Sequence, residues 1–334
     1  MLSSRENFLE TLKRDGKPDR LVNQYEPETL VLDPVSAFIR KGISMGKTIK
    51  DAWGVTVTWP ENQPAAVPHH TPENRVIKDI TRWREELVIP NIEKDCADWT
   101  KTQESAAKVD RSERLLMGIM ATGLFEQLHF LMGFEDTLTN MLLEPEAFAE
   151  LCGAVGEYRM RLARMMVENM RPDIILSHDD WGAKRTLFMS PEVWREFFKP
   201  RYAELYSYLH SEGVLVMHHA DSFLEPIAGD MAEIGIDVWQ GVLPQNDIPR
   251  LQKELKGKMA LMGGIDAAVI DTEHSTEAEI REETRRACAE YGPGGHFIPS
   301  FTYGGPGDLI QPHVLPILKD EIARYNQEVY GIFA

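Results

Sequence analysis

Short apolar runs alternate along this chain with longer stretches in which apolar residues recur every three or four positions. The strand-like runs are Leu21 to Tyr25, Leu115 to Met120, and the segments 173–177, 214–217, 236–239, 260–263 and 296–299. Phe148, Leu151, Cys152, Val155, Tyr158, Leu162, Met165 and Met166 keep helical spacing along one long helix. Ser190-Pro191 is an N-cap followed by proline at the first helical position, with a kink expected before Pro200. Further helices fit 224–234, 247–256 and 277–291, the last stopped by Gly292-Pro293. Ser3 and Glu6 have capping-box spacing, which predicts a helix from Ser4 to about Arg14. Strands alternating with helices predict a parallel sheet, and about seven or eight candidate strands favour an α/β fold of the (β/α)8 TIM-barrel type.

Residues 27–112 break this rhythm. They are rich in proline and carry Trp53, Trp59, Trp83 and Trp99. The segment reads as an irregular N-terminal elaboration over the barrel mouth, within a single domain spanning 1–334.

Composition narrows the function classes. A net charge of −17 makes nucleic acid an unsuitable partner, because phosphate binding needs a basic surface. The three cysteines, Cys96, Cys152 and Cys288, are too scattered for a disulfide framework or a CxxC metal site. No apolar run approaches the length of a membrane span, and Met1 leads into a capped helix rather than a signal sequence. The expectation is a cytoplasmic enzyme. No GxGxxG or GxxxxGK[ST] pattern follows an early strand, which removes the usual nucleotide-binding arguments.

Candidate chemistry collects at strand exits, which in a barrel project side chains into one mouth. His219-Ala220-Asp221 follows the run 214–217 and offers a nitrogen and a carboxylate two residues apart on extended chain. Such a pair can bind a divalent ion such as zinc if a third ligand joins from Asp179, Asp180, Glu26 or His178. The alternative is a hydrogen-bonded pair that orients substrate, or a satisfied structural pair. His178-Asp179-Asp180-Trp181-Gly182 follows the run 173–177. Adjacent carboxylates alternate in direction, so one of the two aspartates should face the mouth, where desolvation can hold it protonated as an acid. His218 should face away and pack. Gln240, Tyr303 and Asp266 occupy similar exits, and Gly304-Gly305-Pro306-Gly307-Asp308 is a tight turn or an anion cradle.

Several segments resemble, in order and spacing, the uroporphyrinogen decarboxylase superfamily and, within it, the corrinoid-dependent methyltransferases. They are Gly133-Phe134-Glu135-Asp136 with Glu144-Pro145-Glu146, Asp179-Asp180-Trp181-Gly182 with Ser190-Pro191-Glu192, and His219-Ala220-Asp221-Ser222 with Pro226. Gly235-Ile236-Asp237, Gly263-Gly264-Ile265-Asp266 and Gly294-Gly295-His296-Phe297 continue the series. The resemblance implies a (β/α)8 barrel. Where the decarboxylases carry an arginine-rich grip for porphyrinogen carboxylates, this chain reads Asp19-Arg20-Leu21-Val22-Asn23-Gln24-Tyr25-Glu26, which disfavours that substrate. Methyltransferases that activate thiols carry His-x-Cys and a later cysteine. Here Asp221 and the neighbourhood of Thr302 stand at those positions, so the thiolate-activating zinc site is incomplete.

Relatives with His-x-Asp resemble the first methyltransferases of anaerobic O-demethylation. The implied reaction moves a methyl group from a methoxylated, in some cases aromatic, small molecule to the cobalt of a separate corrinoid protein. His219, Asp221 and Asp179 or Asp180 would then discharge the departing oxygen, by a proton or by zinc held at His219 and Asp221. Glu26, His178, Trp181, Gln240 and Tyr303 would place the substrate. Other readings are methyl transfer from methylcorrinoid to tetrahydrofolate, decarboxylation of a small carboxylic acid, and a non-catalytic tetrapyrrole-binding barrel. A homodimer stays open.

Overall fold

The computed structural model describes residues 1–61, 66–303 and 311–332. Seven strands form one all-parallel sheet in chain order: β1 (Glu28–Leu30), β2 (Leu115–Met120), β3 (Ile174–His178), β4 (Leu215–His219), β5 (Val238–Val242), β6 (Ala260–Ile265) and β7 (Phe297–Phe301). The sheet curls into an α/β, TIM-barrel-like fold. Its two faces bury separate apolar sets. Leu115, Met117, Ile174, Leu176, Met217 and Val238 meet in the lumen, whereas Leu116, Ile175, Val216 and Trp239 face the surrounding helices. This is the double burial expected of strands that connect through helices.

The register carries the alternation into the mouth. His178 lies opposite His219, and His219 opposite Gln240. Each is two residues beyond a lumen residue (Leu176, Met217 and Val238), so all three turn inward at the strands' C-terminal ends. At the other end, Phe8 of the capped helix Ser4–Leu12 packs with Val22 into the lumen set and plugs the barrel floor.

One expectation changes. The first barrel strand is not 21–25. Turn bonds from Gln24 N to Val22 O, Glu26 N to Asn23 O and Glu28 N to Tyr25 O bend the chain there, with Gln24 at φ 56°. The strand forms later, pairing Glu28, Thr29 and Leu30 with Leu115, Leu116 and Met117, inside the segment read as irregular. Among the described residues β1 and β7 share no ladder, so the sheet has seven strands and a seam.

The rest of the 27–112 segment holds a small antiparallel sheet of Thr48–Lys50, Thr56–Thr58 and Val67–Pro68. Its short helices Ile92–Asp95 and Thr100–Ala106 pack on the long helix Pro145–Met170 at the barrel's flank. Trp53, Trp83 and Trp99 are buried there, Trp53 edge-on to Tyr158 with ring centroids 4.7 Å apart. The expected kink before Pro200 is a break at Phe198 between Pro191–Phe197 and Lys199–Ser211.

Candidate active site

His178 and His219 lie side by side in the mouth, with ring centroids 4.4 Å apart. Each imidazole is oriented through Nδ1. His178 Nδ1 donates to Glu126 Oε2 at 2.9 Å. His219 Nδ1 lies 2.5 Å from Gln240 Oε1, and the Gln240 amide is fixed by donation of its Nε2 to Tyr303 O at 2.8 Å. Because the amide oxygen must accept, His219 carries its proton on Nδ1 and leaves the Nε2 lone pair unused.

The charges of the two rings are opposed. Burial works against protonating His178, but the Glu126 carboxylate and its hydrogen bond prevail and push the imidazole up to about 10. Glu126, although buried, is drawn down to about 2 by that imidazolium. Burial, with the charge on His178, pushes His219 down to about 3, so it stays neutral.

The aspartates separate by direction. Asp180 turns with His178 into the mouth, where Oδ1 accepts from Asp221 N at 3.0 Å and Ser222 Oγ at 2.9 Å. Burial pushes Asp180 up to about 6. Asp221 is pushed further, to about 8, by burial and then by the neighbouring Asp180 charge. The site therefore holds a neutral imidazole, an imidazolium–carboxylate pair and a carboxyl that keeps its proton at neutral pH.

Asp179 faces the opposite way. Its carboxylate accepts from Phe125 N, Glu126 N and Trp181 Nε1, each at 2.9 Å, and from Tyr202 Oη at 2.5 Å. Two of these donors belong to the helix Leu124–Met132 and two to Trp181 and Tyr202, so Asp179 builds the wall of the site. Trp181 is fully buried, stacked on His218 at 4.1 Å, and cannot reach a ligand in the mouth. His218 packs as expected, bonded to Tyr206 Oη and Asp179 O. Glu26 sits at the N-terminal end of β1, paired with Arg20 at 3.1 Å, on the far side of the sheet from the strand exits. Tyr303 adjoins the site, its hydroxyl raised by burial and by the charges of Asp271, Asp221 and Asp266. The glycine-rich loop Gly304 to Asp308 lies outside the described residues.

One ligand atom from each of His178, Asp180 and His219 lies within 4.8 Å of the others, so Asp180 rather than Asp221 completes the donor set with the two imidazoles. Two nitrogens and one carboxylate oxygen suit zinc with a fourth position open, the metal taking the place of the proton that His178 otherwise carries on Nε2. The outer partners fit as well: Glu126 and Gln240 occupy the Nδ1 atoms, the usual orienting arrangement for metal-bound histidines.

Two groups of residues escape a reading of the sequence. Glu126 stands three residues after Gly123, whose N–H it accepts at 3.0 Å, a helix-capping spacing just past a strand exit that could have signalled it. Arg40 and Arg159 share a cavity of about 240 Å³ with Gln127 beside this helix. They are far apart in sequence, and no local pattern joins them.

Comparison with known proteins agrees with this architecture. The uroporphyrinogen decarboxylase (URO-D) family model matches residues 44–312. The chain is similar to a methyltransferase from Methanosarcina mazei, with a TM-score of 0.69 and 16% identity, over 99% of this chain and 100% of that one. A dihydropteroate synthase from Anaplasma phagocytophilum with bound 6-hydroxymethylpterin-monophosphate matches more distantly, at TM-score 0.39 and 15% identity, over 55% of this chain and 70% of that one. No curated protein matches the sequence.

Proposed function

The chain belongs to the uroporphyrinogen decarboxylase family, and from that premise we propose that it is a methyltransferase, moving a methyl group from a methoxylated small molecule to the cobalt of a separate corrinoid protein. The observation that carries this reading is the convergence of His178, Asp180 and His219 at one barrel mouth, with Asp221 bonded through its N–H to Asp180 and Glu126 bonded to His178; burial there favours a protonated Asp221. Transfer of a methyl group from oxygen leaves the electron pair of the broken C–O bond on that oxygen. The reduced corrinoid, as second substrate, provides the electron pair for the new bond to carbon. This chain's task is to align the methyl carbon and discharge the oxygen.

Asp221 gives its proton to the departing oxygen, while His219 Nε2 and the Asp180 carboxylate hold the donor in line. If zinc occupies His178, Asp180 and His219, it supplies Lewis-acid stabilisation of the same oxygen. A thiol-activating site is not supported. Burial pushes Cys96 up to about 11 and Cys152 and Cys288 up to about 12, and none of them joins the donor set.

Anaerobic incubation with a reduced corrinoid protein and a methoxylated aromatic compound should give methylated corrinoid and the demethylated product. His219→Ala and Asp221→Asn should each lower the rate by about 10²–10⁴-fold, the usual weight of a positioned acid or base. The wild-type rate should fall as pH rises through about 8, where Asp221 loses its proton, and Asp221→Asn should remove that limb. Full activity of both variants would sink the assignment.

A second reading, decarboxylation of a small acid, draws on the Arg40–Arg159 cavity, which suits a carboxylate. Release of carbon dioxide without corrinoid would select it.

A further inference from the structure

The seam between β1 and β7 encloses a cavity of about 290 Å³, lined by Gln24, Tyr25, Glu28, Leu30 and Phe301, with the exposed Lys319 at its rim. None of the imidazole and carboxylate groups of the mouth lines it.

Four polar atoms in its wall are buried without a hydrogen-bond partner: both carboxyl oxygens of Glu28 and both polar atoms of the Gln24 amide. Glu28 is 5% exposed and Gln24 1%. Buried polar atoms in folded proteins almost always have partners, so a cluster of four in one cavity points to an occupant. Burial pushes the Glu28 carboxyl up to about 8 against the pull of its own backbone N–H, with Glu26 reinforcing and Arg114 opposing the shift. The rings of Tyr25 and Phe301 complete the wall, 6.5 Å apart and tilted by 55°.

We propose that this seam cavity binds a small organic ammonium ion, its charge held by the Glu28 carboxyl, the Gln24 amide oxygen and the two aromatic rings. An acid beside aromatic rings is the chemistry that recognises alkylammonium groups. A hard divalent cation would need more oxygen ligands than one carboxyl and one amide provide. An anion would meet the Glu28 carboxyl in the wall, the cation of the lining, Lys319, lying exposed at the rim. Leu30 supplies the apolar surface for an alkyl body.

Calorimetric titration of the full chain with n-butylammonium chloride at pH 7, in two buffers of different ionisation enthalpy, tests this. The expected result is saturable one-to-one binding with release of up to about one proton as Glu28 ionises. Binding should weaken at least about tenfold in Glu28→Gln and about threefold in Phe301→Leu, and neutral n-pentanol should not compete. The proton count and the Phe301→Leu variant keep the test decisive should Glu28→Gln fail to fold. Absence of butylammonium binding, equal binding by Glu28→Gln, or equal competition by pentanol would overturn the proposal and leave the cavity to water.

Discussion

At the residue scale, the Glu126–His178 pair links the site to stability. His178 is raised from its ordinary 6.5 to about 10. Its contribution is therefore fully present below 6.5 and is lost as pH rises through 10. Glu126 is lowered from 4.5 to about 2, so the same interaction is present above 4.5 and is lost as pH falls through 2. Glu126→Gln should cost most stability between about pH 4.5 and 6.5, with the deficit shrinking toward either limit. Urea denaturation across pH would show this, and a pH-independent deficit would contradict the pairing. Asp179 predicts a different outcome. Asp179→Asn replaces one acceptor oxygen by a donor among four fixed donors and should lower stability by about 3 kcal/mol. Its activity loss should follow the folded fraction, unlike that of Asp221→Asn.

At the element scale, the turn into the helix Leu124–Met132 aligns two side chains at once. A Cβ at Gly123 would stand 2.2 Å from the Asp179 carboxyl, so only glycine lets this turn approach the end of β3. Gly123→Ala should destabilise by about 2 kcal/mol through overpacking and should return the His178 titration toward its ordinary range, because Glu126 moves with the turn. Imidazole NMR titration would detect that shift, and an unchanged His178 would refute the coupling. Much at this scale was legible in the chain: the capping box at Ser3 and Glu6, the long helix ending at Met170 and the helix Glu277–Tyr291 all form where the pattern puts them. The three-residue β1 was not. A strand so short has almost no alternation to read, and its identity comes from pairing with Leu115–Met117.

At the scale of the whole molecule, the barrel is closed by pieces distant in sequence. Phe8, fully buried, fills the floor of the lumen with Val22. Phe8→Ala should lower stability by about 4 kcal/mol, a typical cost for emptying an aromatic core position. Denaturant titration would measure it, and a loss below about 1 kcal/mol would mean that the floor is not sealed by this ring. The final helix, Val314–Tyr330, contributes Leu315 and Lys319 to the seam cavity. The described residues contain no helix long and apolar enough to cross a membrane.

The chain by itself determined the alternation of strands and helices, and with it the parallel barrel-like sheet. It also determined that His178, Asp180, His219 and Asp221 stand at strand exits. These properties reside in spacing between near neighbours. Only the tertiary structure decided which of the two adjacent aspartates enters the mouth, that Glu126 keeps His178 protonated, and that β1 and β7 leave a seam. Both faces of a barrel strand are apolar, one toward the lumen and one toward the helices, so hydrophobicity does not reveal which face is which. That choice is made when the sheet curls, and it turns Asp180 toward the histidines and Asp179 into the wall.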